Sequence, residues 1–575
     1  MSAKIKITDL IAKKLINSGL KSAFGLQGGA VVHIFDSLEK AGIECYYLHH
    51  EQSAALAATA NSKITGQIGC VIVTTGPGCT NAITGLLAAW QDSIPVVFIS
   101  GQVRSLHTSY GKPVRQVGSQ EAPIIDIVRP ITKYAKFLNK ASEINSEISK
   151  AIEIAKSGRP GPVWLDLALD VQWVMIDDPG NEELAKNSDN ETLRLTNDNR
   201  DLLLKLIAGS SKPLLVLGYG VRLSDSIKEV KKFITSHDLN YVTTWSAMDY
   251  FPTSDSRNLG VIGMSGQRGA NKAIFASDLL ICLGSHLSIP QTTTLTESYA
   301  PNAKKVIVDI DSDQLDNLTV SFDLKINLDI KNFLLLTKSM QINFARSKFD
   351  GLKEQNWYEP LAKDKINSNS YIKTVSECNS VRTCYVIDGG GTALYAGFQS
   401  LRVKKDERVV CSTSISCMGT GLAEIIGAYG GKDYEKYICI IGDGSFLMNV
   451  QDLQSIYQYQ IPVAIVVVNN NGYLAIRNTQ RDFLAGKYYG THPDWGLVMP
   501  NIQDIGMAFK LDYMKVKTQE DLFLSLDKIK EKIKRPIIIE LITDENQEAL
   551  FSQGYKKNMD GTYSPASLSE MKPYL

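Results

Sequence analysis

The chain alternates short apolar runs with segments whose apolar residues recur at helical spacing. The clearest case begins at residue 438. Residues 438–441 (ICII) form an apolar run suited to a buried strand, and Gly442-Asp443-Gly444 follows as a tight turn. Met448, Leu453 and Ile456 then give a helix-like spacing, and residues 461–468 read as a second buried strand. That strand runs into the polar cluster Asn469-Asn470-Asn471-Gly472. Strand, turn, helix and strand make one βαβ unit, so both polar turns lie at the carboxyl ends of parallel strands, where open α/β sheets bind ligands. Asp443 and Asn470 are thereby predicted to be neighbours in space. Two hard oxygen donors beside a glycine-rich backbone suit a Mg2+ ion that keeps water and completes its shell with substrate phosphates.

The same alternation runs through the rest of the chain. Ile7, Leu10, Ile11 and Leu15 mark a helix face over 4–18, and 23–29 reads as a strand entering a turn at Gly28-Gly29. Residues 43–48 form another strand, ending at His49-His50-Glu51, before a helix of small residues over 54–60. A strand over 70–74 leads into Thr75-Gly76-Pro77-Gly78-Cys79-Thr80-Asn81, small residues that open a helix with free backbone N–H groups. Residues 94–100 add a strand. Runs at 212–220, 278–284 and 305–309 predict a second α/β domain. A strand over 384–387 opens a third and ends in Asp388-Gly389-Gly390-Gly391-Thr392, where successive glycines let the backbone approach an anion.

Polar stretches at 177–198 and 343–372 read as linkers. The predicted fold class is α/β with three doubly wound parallel-sheet domains over 1–178, 195–342 and 370–550. Residues 551–575 form a tail whose aromatics and prolines predict a docked lid.

Composition narrows the function classes. A chain of 575 residues suits three or four domains. Lys+Arg and Asp+Glu both total 61, which argues against nucleic acid or a membrane surface as partner. The charged start lacks the apolar core of a signal peptide, and no run reaches the roughly 18 apolar residues of a spanning helix. Nine cysteines without a CxxC pair, mostly in apolar runs, predict reduced core thiols of a cytoplasmic protein.

The strand–GDG–helix–strand–NN arrangement resembles the thiamine-diphosphate (ThDP) binding motif. On that resemblance Asp443 and Asn470 give side-chain oxygens to Mg2+ and Gly472 a carbonyl, the ion holds the diphosphate, and Gly444, Ser445 and Tyr473 join the cofactor contacts. LHHEQSAALAA, VTTGPGCTNAITGLLAAWQDSIPVVFISGQV and ITKY resemble the pyrimidine-binding domain of the acetolactate synthase branch of ThDP enzymes. The resemblance assigns Glu51 a hydrogen bond to N1′ of the aminopyrimidine, favouring the imino tautomer whose 4′-nitrogen removes the C2 proton. It adds Pro77 and Asn81 to the cofactor contacts, and Gly29 and Gln120 to the catalytic set. Gly390, Gly391 and Thr392 resemble the diphosphate-side loop, with Thr392 and Ala393 where the family carries Gln and His. Met418 takes the place of the apolar wedge that bends the cofactor.

KPLLVLGYG, GMSGQRGAN, SDLLICLGS and VIVDID follow the order of the family's FAD-binding central domain. This implies FAD contacts at Gly218, Gly284, Asp309 and Asp329. His286 stands where the family carries Arg, so an ADP-like ligand or an empty site remain alternatives. RQVGSQE (115–121) resembles the family's FQE loop with Ser119 for Phe, and Thr479 replaces a Trp; both changes leave room for a larger or more polar acceptor. The implied activity is a decarboxylating carboligase that moves a two-carbon unit from a 2-keto acid, pyruvate first among candidates, onto a carbonyl acceptor. A keto-sugar or other bulky acceptor, or simple decarboxylation, are the alternatives. Because Glu51 and Asp443 meet across a subunit interface in that family, the implied assembly is a homodimer or a dimer of dimers.

Overall fold

The computed structural model describes residues 3–180, 195–359 and 365–573. It contains three six-stranded sheets whose strands are all parallel. The first runs, in spatial order, Glu44–Tyr47, Ser22–Gly25, Gly69–Val73, Val96–Gln102, Val163–Ala168, Tyr134–Leu138. The second runs Asn258–Val261, Asn240–Thr243, Pro213–Leu217, Leu279–Leu283, Lys304–Asp309, Leu324–Asn327. The third runs Arg408–Val410, Thr383–Ile387, Lys436–Gly442, Val463–Asn469, Ile537–Ile542, Asp512–Val516. Helices cover both faces, which is why the central strands are nearly continuous apolar runs instead of alternating ones. In each sheet the first strand lies inside, the chain moves to one side, then crosses to the other. Each sheet therefore has a switch point, between Ser22–Gly25 and Gly69–Val73, Pro213–Leu217 and Leu279–Leu283, and Thr383–Ile387 and Lys436–Gly442.

Several local expectations are corrected. Residues Lys4–Lys6 form a strand antiparallel to Met175–Asp177, and the first helix begins at Ile7. Gly442-Asp443-Gly444 is a helix start, with Gly442 as N-cap of Asp443–Met448; a carboxylate in the first turn suits the positive end of the helix. A break after that helix re-phases the chain, so Met448 is 48% exposed while Phe446, Leu453 and Ile456 are buried. The expected linker at 177–198 falls mostly outside the described residues, as do 360–364 of the second. The described part of the second packs on the middle sheet: Phe349 joins its core and the Asn356 side chain accepts from Gly269 N at 2.8 Å. The tail is docked. Phe551 and Met571 are buried, and the Arg268 guanidinium stacks over the Phe551 ring at 4.8 Å.

The first and third sheets share one hydrophobic core. Its seam is the contact between helices Glu51–Thr65 and Thr420–Gly430, both rich in small residues. The backbones come so close that a Cβ at Gly427 would overlap the Ala57 carbonyl. Asn61 Nδ2 donates to the Gly427 carbonyl at 3.1 Å, satisfying an acceptor that the seam removes from water.

Gly427→Ala is therefore expected to destabilise the chain by roughly 3 kcal/mol, as overpacking against backbone has no rotamer to relieve it. A thermal unfolding midpoint equal to that of the unaltered protein would contradict this packing.

Candidate active site

The loops at the carboxyl ends of the first sheet gather one set of residues. The strand Glu44–Tyr47 delivers His50, whose side chain caps the helix by accepting from Gln52 N at 3.1 Å, and Glu51 becomes its first residue. Glu51 is buried, at 7% exposure, and its Oε2 accepts from Asn81 Nδ2 at 3.0 Å. Gly78 lies against its other oxygen, and Pro77 and Asn81 are exposed beside it. Gln120 reaches the same turn. Its carbonyl leaves no room for a Cβ at Gly76, and its backbone is left-handed, φ 57. Gly29 is exposed with open space around its Cα, whereas Gly28 packs on Thr74.

The loops at the carboxyl ends of the third sheet gather another set. Asp443 Oδ1 accepts from Gly444 N and Oδ2 from Gly472 N, both at 2.8 Å, so the ends of two neighbouring strands are stitched together. Burial pushes the Asp443 carboxyl up to about 6, against the pull of those N–H groups. Asn470 Oδ1 is buried with no hydrogen-bond partner. An orphaned amide oxygen beside a carboxylate is what an oxygen-coordinated cation would satisfy. Among the described residues no three His, Cys, Asp or Glu side chains cluster for a metal, so an ion here would rely on one carboxylate, one amide and main-chain oxygens. Gly472 has φ 119, and the Tyr473 ring occupies the space where Gly444 would carry a Cβ.

The triglycine loop faces this group. Met418, half-buried, lies over Gly390, whose missing Cβ makes room for it. Gly391 has φ 70 and open space at its Cβ position, and Thr392 follows it half-exposed in the first turn of Gly391–Ser400.

Two residues that pattern reasoning passed over organise this region. Asp388 is fully buried. Its Oδ1 accepts from Gly421 N at 3.0 Å and its Oδ2 from Gly390 N at 3.4 Å, and the Ser445 hydroxyl faces it. Burial pushes this carboxyl up to about 6 as well. Arg477 is buried, and its guanidinium donates to the carbonyls of Asn470, Asn471 and Thr491 at 2.5, 2.8 and 2.9 Å, bracing the turn that holds Asn470. An acid directly after a buried strand and before glycines was the available signal for Asp388; Arg477 carried none.

The middle sheet opens into a cavity of about 950 Å³ at its switch point. Gly284, Asp309 and Asp329 line it. Gly218 does not; it packs against Gly284, and Tyr219 and Gly220 form the wall instead. Asp329 is used as a helix cap, accepting from Lys331 N at 2.8 Å, and Asp309 accepts from Asp311 N at 3.0 Å. Arg159 enters from the first domain and pairs with Asp311 at 3.0 Å, and its charge together with burial lowers the His286 pKa. Size, glycine switch point and strand-end acids together suit a dinucleotide.

Three family profiles match the chain. Residues 5–126 match the thiamine pyrophosphate enzyme N-terminal TPP binding domain, 201–336 the central domain, and 388–541 the C-terminal TPP binding domain. The acetolactate synthase large subunit of Buchnera aphidicola (subsp. Schizaphis graminum) is 32% identical over 91% of this chain and 92% of its own length. The Lactococcus lactis acetolactate synthase large subunit is 29% identical over 94% and 93%, and the Escherichia coli acetolactate synthase isozyme 3 large subunit 28% over 94% and 95%.

Asp388→Ala leaves the Gly421 N–H buried and unpaired, with an expected cost of about 2 kcal/mol. Asp388→Asn keeps one acceptor and is expected to cost less. Thermal midpoints of the two variants in the opposite order would contradict the assignment.

Proposed function

Because the chain belongs to the thiamine pyrophosphate enzyme family, we propose that it is a ThDP-dependent carboligase of the acetolactate synthase kind, joining two molecules of pyruvate with loss of CO2. The observation that carries this reading is the near full-length similarity to acetolactate synthase large subunits, with Glu51–Asn81 and Asp443–Gly472 held in the geometry above. When bound, ThDP supplies a carbon nucleophile and a sink for the electron pair freed with CO2.

The chain's own residues prepare that chemistry. Glu51, poorly hydrated and steadied by Asn81, holds a proton at the pyrimidine N1′. Asp443, the Asn470 oxygen and the Gly472 carbonyl would hold Mg2+, with Gly444, Ser445, Tyr473, Gly390, Gly391 and Thr392 around the diphosphate. Met418, seated over Gly390, would be the apolar wedge beneath the cofactor, and Pro77 would bound the pyrimidine. Gly29 and Gln120 meet the substrate. The cavity of the middle sheet receives FAD, bounded by Gly284, Asp309 and Asp329. We place the domain limits at 1–178, 195–342 and 370–550, with 551–575 as a lid.

The Glu51 group and the Asp443 group stand on different sheets, and Pro77, Asn81 and Gln120 are exposed. This supports an assembly of at least two chains, in which each group is completed by a second copy. Among the described residues no helix is long and apolar enough to cross a membrane. Nine unpaired cysteines support a cytoplasmic location.

With pyruvate alone the protein is expected to yield acetolactate; acetaldehyde, or turnover only with added keto sugars, would overturn the reading. Glu51→Gln is expected to lower turnover by roughly 100-fold or more. Asn470→Ala should weaken Mg2+-supported ThDP uptake at least about 10-fold by calorimetry. Protons compete with the cation for Asp443, so that uptake should fall as pH drops through about 6. Flavin absorbance of the purified protein tests FAD.

A further inference from the structure

Beneath the Gln120 loop lies a buried polar cluster that no step above uses. Gln102 ends the strand Val96–Gln102 and is 0% exposed, yet its amide is fully satisfied. Its Oε1 accepts from Thr75 Oγ1 and Val103 N, both at 2.9 Å. Its Nε2 donates to Asp166 Oδ2 at 2.9 Å and to the Ala122 carbonyl at 3.1 Å. Asp166, on the adjacent strand Val163–Ala168, is equally buried. It also accepts from Ser100 Oγ at 2.6 Å and Tyr110 OH at 3.4 Å. Among the described residues no cation touches this carboxylate, and its burial is costly. Apolar residues of similar volume would pack the interior at less cost. What the cluster provides is geometry, because a satisfied buried network is rigid and admits few arrangements.

The rigidity is delivered to two segments at once. Through Thr75, Gln102 pins the turn that carries Pro77 and Asn81 beside Glu51. Through Ala122, it pins the loop that carries Gln120. The two segments also touch directly, since Thr75 Oγ1 lies 3.2 Å from the Gln120 carbonyl, and Gly76 is a glycine because that carbonyl fills its Cβ position. Gln120 is held left-handed at that contact, a conformation that costs a non-glycine residue free energy and persists only when its surroundings impose it.

We propose that Gln102 and Asp166 are positioning residues: a buried brace that sets the placement of Gln120 relative to Glu51, and so governs capture of the second carbonyl substrate without touching the cofactor. This rests on the reading above, in which Gln120 meets substrate.

The test uses full-length protein loaded with ThDP and Mg2+ and turned over with pyruvate. Gln102→Glu sets two carboxyls against each other and removes the donor to Ala122. It is expected to lower the acetolactate-to-acetaldehyde ratio by about 10-fold or more, since misplacement on the order of 1 Å costs up to about 100-fold. ThDP affinity by calorimetry should stay near that of the unaltered protein. The double variant Gln102→Glu/Asp166→Asn exchanges donor and acceptor between the two positions but leaves the Ala122 carbonyl without its donor, so it should recover part of the ratio. Tyr110→Phe removes one donor to Asp166, keeps the ring, and should shift the ratio in the same direction by less; it serves if Gln102→Glu does not fold. ThDP affinity, both products and thermal midpoint falling together, or a double variant worse than either single one, would overturn the brace alone. An unaltered chain that binds ThDP yet makes neither product would overturn the functional reading and the brace with it.

Discussion

The seat of the helix Glu51–Thr65 on the helix Thr420–Gly430 is the contact on which the rest depends. Its closeness comes from small residues, and Gly427 against the Ala57 carbonyl leaves no slack. Each helix presents a proposed site residue at its N-terminal end: Glu51 is the first residue of one, and Met418 and Gly419 lead into the other. A seam without adjustable side chains fixes how those two ends stand in a single chain. It also explains why the first and third sheets share one core.

A second device recurs in or just after the strands. Asp388, Asp443 and Asp166 are buried carboxyls whose hydrogen-bond partners are N–H or O–H groups, and among the described residues none of the three forms an ion pair, although the Arg477 guanidinium acts on Asp443. Each joins two segments that the sheet alone would leave independent. For all three, burial pushes the pKa up to about 6. Their stabilising contribution is therefore complete below the ordinary carboxylate range and is withdrawn as pH rises towards about 6. A cation at Asp443 would reverse that balance for one of them.

Much of the fold was legible beforehand because the relevant physics is local. Continuous apolar runs broken by glycines mark buried parallel strands, and the carboxyl ends of such strands are where ligands sit; Asp443 and Asn470 could be picked out on that basis, whereas Glu51 is singled out by the resemblance of its surroundings to a known family. Element starts were less legible. Asp443 was read as a turn residue because a helix beginning directly after a strand leaves no spacer to show it. Met448 was placed on the buried face because a break in the helix is invisible to a periodicity that runs across it. Gly218 was chosen as a ligand contact, but a glycine can serve a neighbouring backbone as well as a cofactor, and here it serves Gly284. Gln102 and Asp166 act through long-range hydrogen bonds, and Arg477 through carbonyls of irregular loops; neither leaves a periodic trace.

The large cavity has walls from all three domains: Arg159 from the first, Gly284 from the second, Cys411 from the third. No one module owns it. A middle domain grafted by recombination into another protein would carry an open trough, and the site would survive only where both neighbours travelled with it.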